Sequence, residues 1–129
     1  MDRPRKISRD QYGFTLVEVL IAIMTFSIGL LGVAQLMVSI INSNLTARHI
    51  STAATLAQDK MEDIHRVGYG GVDALAGTEN YHSLTGYAAY KRVTAVTANT
   101  PGTGMKTVTV SVFWDGDAGS TALSIILAE

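Results

Sequence analysis

Hydrophobic positions dominate the chain from Val19 to Ile41, which is built largely from Leu, Ile, Val, Ala, Met and Phe, and no charged residue occurs between Val19 and Ala47. At 1.5 Å per residue, roughly 20 apolar residues cross a bilayer core, so this block predicts one membrane-length helix. Beyond it the pattern becomes amphipathic. Ile50, Ala53, Ala54, Ala57, Met61 and Ile64 recur at three- and four-residue intervals, while Arg48, Thr52, Asp59, Glu62 and Arg66 fall on other faces. Glu62 and Arg66 are spaced as a surface ion pair. Gly68, Gly70 and Gly71 supply the stop. No proline interrupts the span from Phe14 to Ile64, so the pattern predicts a continuous helix from about Phe14 to Val67, roughly 80 Å long.

From about residue 89 the period shifts from helical spacing to alternation. AAYKRVTAV predicts a first strand, and the NTPGTG segment, Asn99–Gly104, predicts a turn. In KTVTVSVFW, Val108, Val110, Val112 and Trp114 take one face and Thr107, Thr109 and Ser111 the other. DGDAG, Asp115–Gly119, predicts a second turn, and TALSIILA a third strand. A small antiparallel meander against the amphipathic helix stripe would close a modest α+β core. The expected organisation is a leader over 1–13, a membrane or assembly helix over 14–41, its amphipathic continuation over 42–67, and a small globular head over 68–129.

Charge sharpens the reading of the N-terminus. Of the ten Lys and Arg residues, Arg3, Arg5, Lys6 and Arg9 stand in the first nine positions, with only Asp2 and Asp10 nearby; removal of 1–13 leaves six basic residues against nine acidic ones. The remaining body is mildly acidic, and its dispersed cations offer no basic patch for nucleic acid. Positive charge before an apolar span normally stays cytoplasmic, which puts residues beyond about 42 outside. A secretory signal would have a shorter apolar region followed by its cleavage site, whereas here the small residue, Gly13, precedes the apolar run. The absence of cysteine excludes disulfides and thiolate metal centres.

Glu18 stands out, because a carboxylate inside a membrane-length helix is costly and reads as functional. If the mature chain begins at Phe14, a new amine lies one helical turn from Glu18; an amine from a neighbouring copy is the alternative partner. The helix N-terminus itself favours negative charge. Gly29 and Gly32 interrupt the apolar helix at a spacing of three, which differs from GxxxG, and are read either as a packing or flexing site or as ordinary glycine content of a membrane helix.

The combination of a short basic leader with Gly13, Phe14, Thr15, Leu16, Val17 and Glu18, followed by an uninterrupted apolar helix, resembles a type IV pilin precursor. Within that superfamily, IGLLGVAQL (28–36), ATLAQDKMEDI (54–64) and GMKTVTVSVFWDGD (104–117) resemble minor pilins of the PilV type, the type IV pilus modification proteins. The resemblance implies a pilin-like fold and cleavage between Gly13 and Phe14. It also implies N-methylation of Phe14 by a prepilin peptidase/N-methyltransferase, and a role for Glu18 in subunit docking. The partners it implies are membrane lipid before assembly, the inner-membrane pilus assembly platform, the major pilin and other minor pilins. The implied location is the bacterial inner membrane, then the pilus at the cell surface, with roles in assembly, priming, adhesion or motility. A minor pseudopilin of a type II secretion system shares the same leader, Glu18 and helix. An adhesin-like binding module anchored by the helix is the competing reading from another class.

No cofactor, metal or catalytic set is expected. Asp115 and Asp117 flank Gly116, but a hairpin turn calls for the same residues and the long acidic loop of an EF-hand is missing. His49, His65 and His82 form no ligand spacing and are read as structural or surface residues. GYGG lacks the lysine and hydroxyl of a phosphate loop, and Asn44–Leu45–Thr46 is a three-residue match to a glycosylation acceptor, discounted in a bacterial-type export system. Tyr81, Tyr87, Tyr90 and Trp114 are read either as parts of a binding surface or, equally economically, as a core Trp114 with some of the tyrosines in surface packing. No Ser, His and Asp set makes a recognisable catalytic motif.

Overall fold

The computed structural model describes residues 13–129, so the basic part of the leader lies outside the described residues. The elements run in the order α1 (Leu16–Gly71), a short 3-10 turn (Val72–Leu75), β1 (Gly77–Glu79), β2 (Tyr90–Ala98), β3 (Met105–Trp114) and β4 (Gly119–Ala128). This is the expected long helix with a small antiparallel sheet. The glycine stop acts as a break: Gly68 takes φ 69° and ψ −169°, a left-handed geometry that lets the chain depart from helical conformation before the last turn ends at Gly71.

Contacts divide the chain into two compact units, Met1–Asn42 and Ser43–Glu129. In the first, every described residue is exposed, including large apolar side chains such as Leu20, Ile28 and Leu36. The helix here is long and apolar enough to cross a membrane. Its hydroxyl residues satisfy themselves locally: Thr25 Oγ1 donates to the Ile21 carbonyl and Ser27 Oγ to the Ile23 carbonyl, each at 2.8 Å. That lowers the cost of carrying them through an apolar medium.

In the second unit, the four strands form one antiparallel sheet in the order β1-β2-β3-β4. β3 is central to the core, with Val108, Val110, Val112 and Trp114 buried on alternate positions as the sequence alternation predicts. Opposite them lie Ala53, Leu56, Ala57 and Ile64 of α1 and Val72 of the 3-10 turn. Two alanines in this stripe let the helix approach the sheet closely.

Three details depart from the sequence reading. The buried stripe of α1 begins at Ala53 and includes Leu56, with the half-buried His49 one turn before it, whereas Ile50 is 47% exposed; His49 takes the inward position because its ring finds both an aromatic surface and a hydrogen bond. Arg66 pairs with Asp63 at 3.1 Å, one residue away from the expected Glu62. The sheet has a fourth strand, β1, in the segment that showed no period. β1 pairs Gly77 with Thr94 and Glu79 with Arg92.

Candidate functional site

The N-terminal site is built around the first turn of α1. Glu18 N–H donates to Thr15 Oγ1 at 3.2 Å; in return Thr15 N–H and Thr15 Oγ1 donate to Glu18 Oε2 at 3.2 and 3.3 Å. The Val19 N–H to Thr15 carbonyl bond, 3.2 Å, begins the helical ladder. This reciprocal arrangement is a capping box, with Thr15 as N-cap and Glu18 at the third helical position. It satisfies otherwise orphaned amides and holds the carboxylate at the positive end of the helix.

Gly13, Phe14 and Thr15 therefore precede the helix, and the bond between Gly13 and Phe14 lies in non-helical backbone. Phe14 is 86% exposed. Phe14 and Glu18, with Val19, Ala22, Ile23 and Phe26, line a shallow apolar groove of about 580 Å³ on the helix surface. The spacing Thr15-x-x-Glu18 is the sequence signature of this box, a local signal distinct from the cost of the Glu18 charge.

Gly29 and Gly32 lie farther along the same exposed helix, away from the Glu18 turn. A Cβ built on either meets no described atom within 4 Å. Neither glycine is required by packing among the described residues of this chain.

The head holds polar clusters that fasten its elements. Arg92 Nε and Nη2 donate to the two carboxylate oxygens of Glu79 at 2.7 and 2.8 Å, and Arg92 Nη1 donates to the Leu56 carbonyl at 2.9 Å. Lys60 lies 3.6 Å from the same carboxylate. One bidentate pair thus joins β1, β2 and α1. The Arg92 hydrogen bond pulls the Glu79 carboxyl below its ordinary value, against an opposing effect of desolvation, with the charges of Arg92 and Lys60 adding to the fall. Lys106 closes the C-terminal end of α1, donating to Asp73 at 2.7 Å and to the Tyr69 carbonyl at 3.0 Å.

The DGDAG turn is used structurally. Asp115, Gly116 and Asp117 all take positive φ. The Asp117 carboxylate accepts from Lys91 at 2.5 Å and from Tyr81 at 2.8 Å, and its N–H donates to the Tyr81 hydroxyl at 3.0 Å. The Lys91 and then the Tyr81 hydrogen bond lower the Asp117 carboxyl from its ordinary value. Tyr81 is raised, by desolvation first and then by its bond to Asp117. A shallow groove of about 530 Å³ lies beside Tyr81, His82 and Asp115. Among the described residues no three His, Asp or Glu side chains gather as a metal site.

His49 is the head residue whose role the sequence concealed. It joins α1 to β2 through Tyr90 and to β3 through Trp114. A lone histidine at an inward helical position carries no signal of what it will meet across the core.

Residues 8–34 match the family described as the prokaryotic N-terminal methylation motif. The matched span covers Gly13, Phe14, Thr15, Glu18, Gly29 and Gly32, and such a motif implies processing by a prepilin peptidase and methyltransferase pathway. No curated protein and no solved structure matches the chain significantly.

Proposed function

We propose that the chain is a type IV pilin-like protein, a reading that its methylation motif and its α+β fold support, and that within that class it is a minor pilin of the PilV type. Its work is physical. The basic leader holds the precursor with its head outside the cytoplasm, cleavage after Gly13 frees Phe14, and methylation follows on the new amine. Glu18 then docks the subunit beside an existing one. Assembly transfers the apolar face of α1 from lipid to the helices of neighbouring subunits, with Gly29 and Gly32 as points of close approach. Repetition of such heterologous contacts leaves an open filament end.

The observation that carries this reading is the conjunction of the matched motif with a helix whose residues from 16 to 48 are all exposed in the isolated chain. A long apolar helix covered by nothing of its own requires another medium, and the motif supports lipid followed by a filament core. The capping box supports a Glu18 held in place at the helix start.

Mass spectrometry of purified, sheared surface filaments tests the proposal. A small, reproducible amount of this chain relative to the major subunit, beginning at methylated Phe14, is the expected result. Reproducible absence from filaments, with mature protein retained in the inner membrane, overturns it in favour of a secretion pseudopilin.

A further inference from the structure

One face of the exposed apolar helix carries a seven-residue repeat. Ile21, Ile28, Gln35 and Asn42 recur at intervals of seven, and Met24, Leu31 and Val38 fall between them, so that steps of three and four alternate over three heptads. The whole seam lies within the first compact unit, and every one of its residues is exposed. In an apolar segment the aliphatic members of such a repeat say little by themselves. The amides say more: Gln35 and Asn42 are the two carboxamides between Val19 and Asn42, and both stand at the same heptad position.

Gln35 is the costlier of the two by depth. It stands inside the Val19–Ile41 block, where a carboxamide loses its hydrogen bonds to water and gains none from hydrocarbon. Thr25 and Ser27 meet the same demand by bonding carbonyls of the preceding turn. The Gln35 carboxamide makes no hydrogen bond among the described residues. It lies in a shallow groove of about 410 Å³ with Leu31, Ala34 and Val38. Leu31 and Val38 are its neighbours along the seam, and the small Ala34 keeps one flank low. The concave part of the surface and the unsatisfied amide therefore coincide with the face that the repeat marks.

The chemistry of the seam selects its occupant. A carboxamide carries both donors and an acceptor, so two of them satisfy each other reciprocally. In a parallel, in-register pair of helices, these heptad positions meet their own counterparts, which sets Gln35 opposite Gln35 and Asn42 opposite Asn42. Ile28 at the Gln35 position of the preceding heptad, followed by Leu31, is the two-stranded pattern. No charged residue between Val19 and Ala47 sets like against like. Copies inserted behind the same basic leader share direction and depth, as a parallel pair requires; this step rests on the membrane-anchored reading above. We propose that the seam from Ile21 to Asn42 is a self-association site, at which a second copy of this chain pairs in the membrane through Gln35.

The test uses the full chain at its native level in its native membrane. The sequence has no cysteine, so Leu31→Cys and Val38→Cys each place one thiol on the seam, and Val33→Cys places one on the opposite face. A disulfide requires Cα atoms within roughly 7 Å. Mild oxidation is expected to join Leu31→Cys and Val38→Cys into homodimers identified by mass, with a yield from Val33→Cys at least about tenfold lower. Gln35→Leu, added to Val38→Cys, is expected to lower dimer yield about tenfold, the size of two intramembrane hydrogen bonds. Gln35→Asn keeps an amide on the seam and should retain most of the yield. In Gln35→Leu with Val33→Gln the amide stands on the opposite face, and the Val38→Cys yield should stay low. Equal yields from Val33→Cys and Val38→Cys, wild-type yield in Gln35→Leu, or cross-links only to a different polypeptide each overturn the site. Membrane fractionation and the N-terminal mass are read on the same sample. A soluble chain overturns both readings, and an unprocessed chain that still forms seam dimers overturns the proposed function alone. A processed, membrane-bound chain without seam dimers overturns the pairing alone.

Discussion

The imidazole of His49 lies parallel to the indole of Trp114, with ring centroids 6.1 Å apart and planes 7° apart, while His49 Nδ1 and the Tyr90 hydroxyl meet at 2.9 Å. The helix is thereby tied to two adjacent strands at one end of the sheet, where Tyr90 stands opposite Trp114. His49→Ala removes a ring contact and leaves the nearly buried Tyr90 hydroxyl to find another partner. The expected loss is about 1–2 kcal/mol of head stability. Trp114 is the single tryptophan, so its fluorescence during urea unfolding of the detergent-solubilised chain reports the change directly. A wild-type midpoint and emission spectrum would show that the contact does not fasten the helix.

Trp114 also sets a demand on Gly119 across the β3–β4 turn. A Cβ at position 119 falls 2.3 Å from both Cε2 and Nε1 of the indole, so the ring or the strand must shift. Gly119→Ala is expected to cost about 1–3 kcal/mol, the range for overpacking a well-filled site. Gly29→Ala is the contrast, because a Cβ there meets nothing. It should leave the thermal midpoint of the isolated chain at or above wild type and, on the proposed packing role, lower incorporation into filaments. Equal thermal midpoints for Gly119→Ala and wild type would contradict the geometry of the turn.

How far the fold was legible depended on whether period alone decides a position. Val108, Val110, Val112 and Trp114 alternate without exception, and their burial follows from the pleat. The helix stripe was less legible, since Ile50 and His49 are neighbours and hydrophobicity favours Ile50; only the positions of Tyr90 and Trp114, distant in sequence, turn His49 inward. β1 had no periodic signal at all, because three residues cannot show one, and it is held by the Glu79–Arg92 pair across 13 positions. At the N-terminal site the local pattern was sufficient for the Thr15–Glu18 box. What binds Glu18 or lies against Gly29 is intermolecular, and one chain's sequence encodes only half of such a contact.

The Glu79–Arg92 pair gives the head an acid-sensitive fastening. The folded carboxyl lies below its ordinary value of 4.5 because Arg92 hydrogen-bonds the ionised form. Its contribution to stability is therefore complete above about that ordinary value and is lost as pH falls through the lowered folded value. Glu79→Gln is expected to flatten this part of the stability profile while leaving the neutral-pH fold intact. Arg92→Met should cost about 1–3 kcal/mol at neutral pH, since it takes the bidentate partner from the Glu79 carboxylate, which keeps only Lys60 beside it, and frees the Leu56 carbonyl. Thermal unfolding from pH 3 to pH 7 checks both; parallel profiles for Glu79→Gln and wild type would remove the carboxylate from the account.

Glu18 has two separable properties, an acceptor that caps the helix and a charge available to a neighbouring subunit. Thr15→Ala removes the hydroxyl that accepts from Glu18 N–H, at a cost of about 1 kcal/mol confined to the first turn. Glu18→Gln retains an acceptor for the Thr15 N–H but carries no charge, and Glu18→Ala loses both. If the charge docks the subunit, filament incorporation should fall severely in Glu18→Gln and Glu18→Ala and only slightly in Thr15→Ala. Glu18 lies outside the hydrophobic core of the head, so all three variants should retain the wild-type Trp114 spectrum. Quantitative mass spectrometry of sheared filaments against the membrane fraction measures the ratio. Wild-type incorporation of Glu18→Gln beside a severe defect in Thr15→Ala would reverse the assignment: the box would then act by fixing where the helix begins, and the carboxylate charge would have no part in docking.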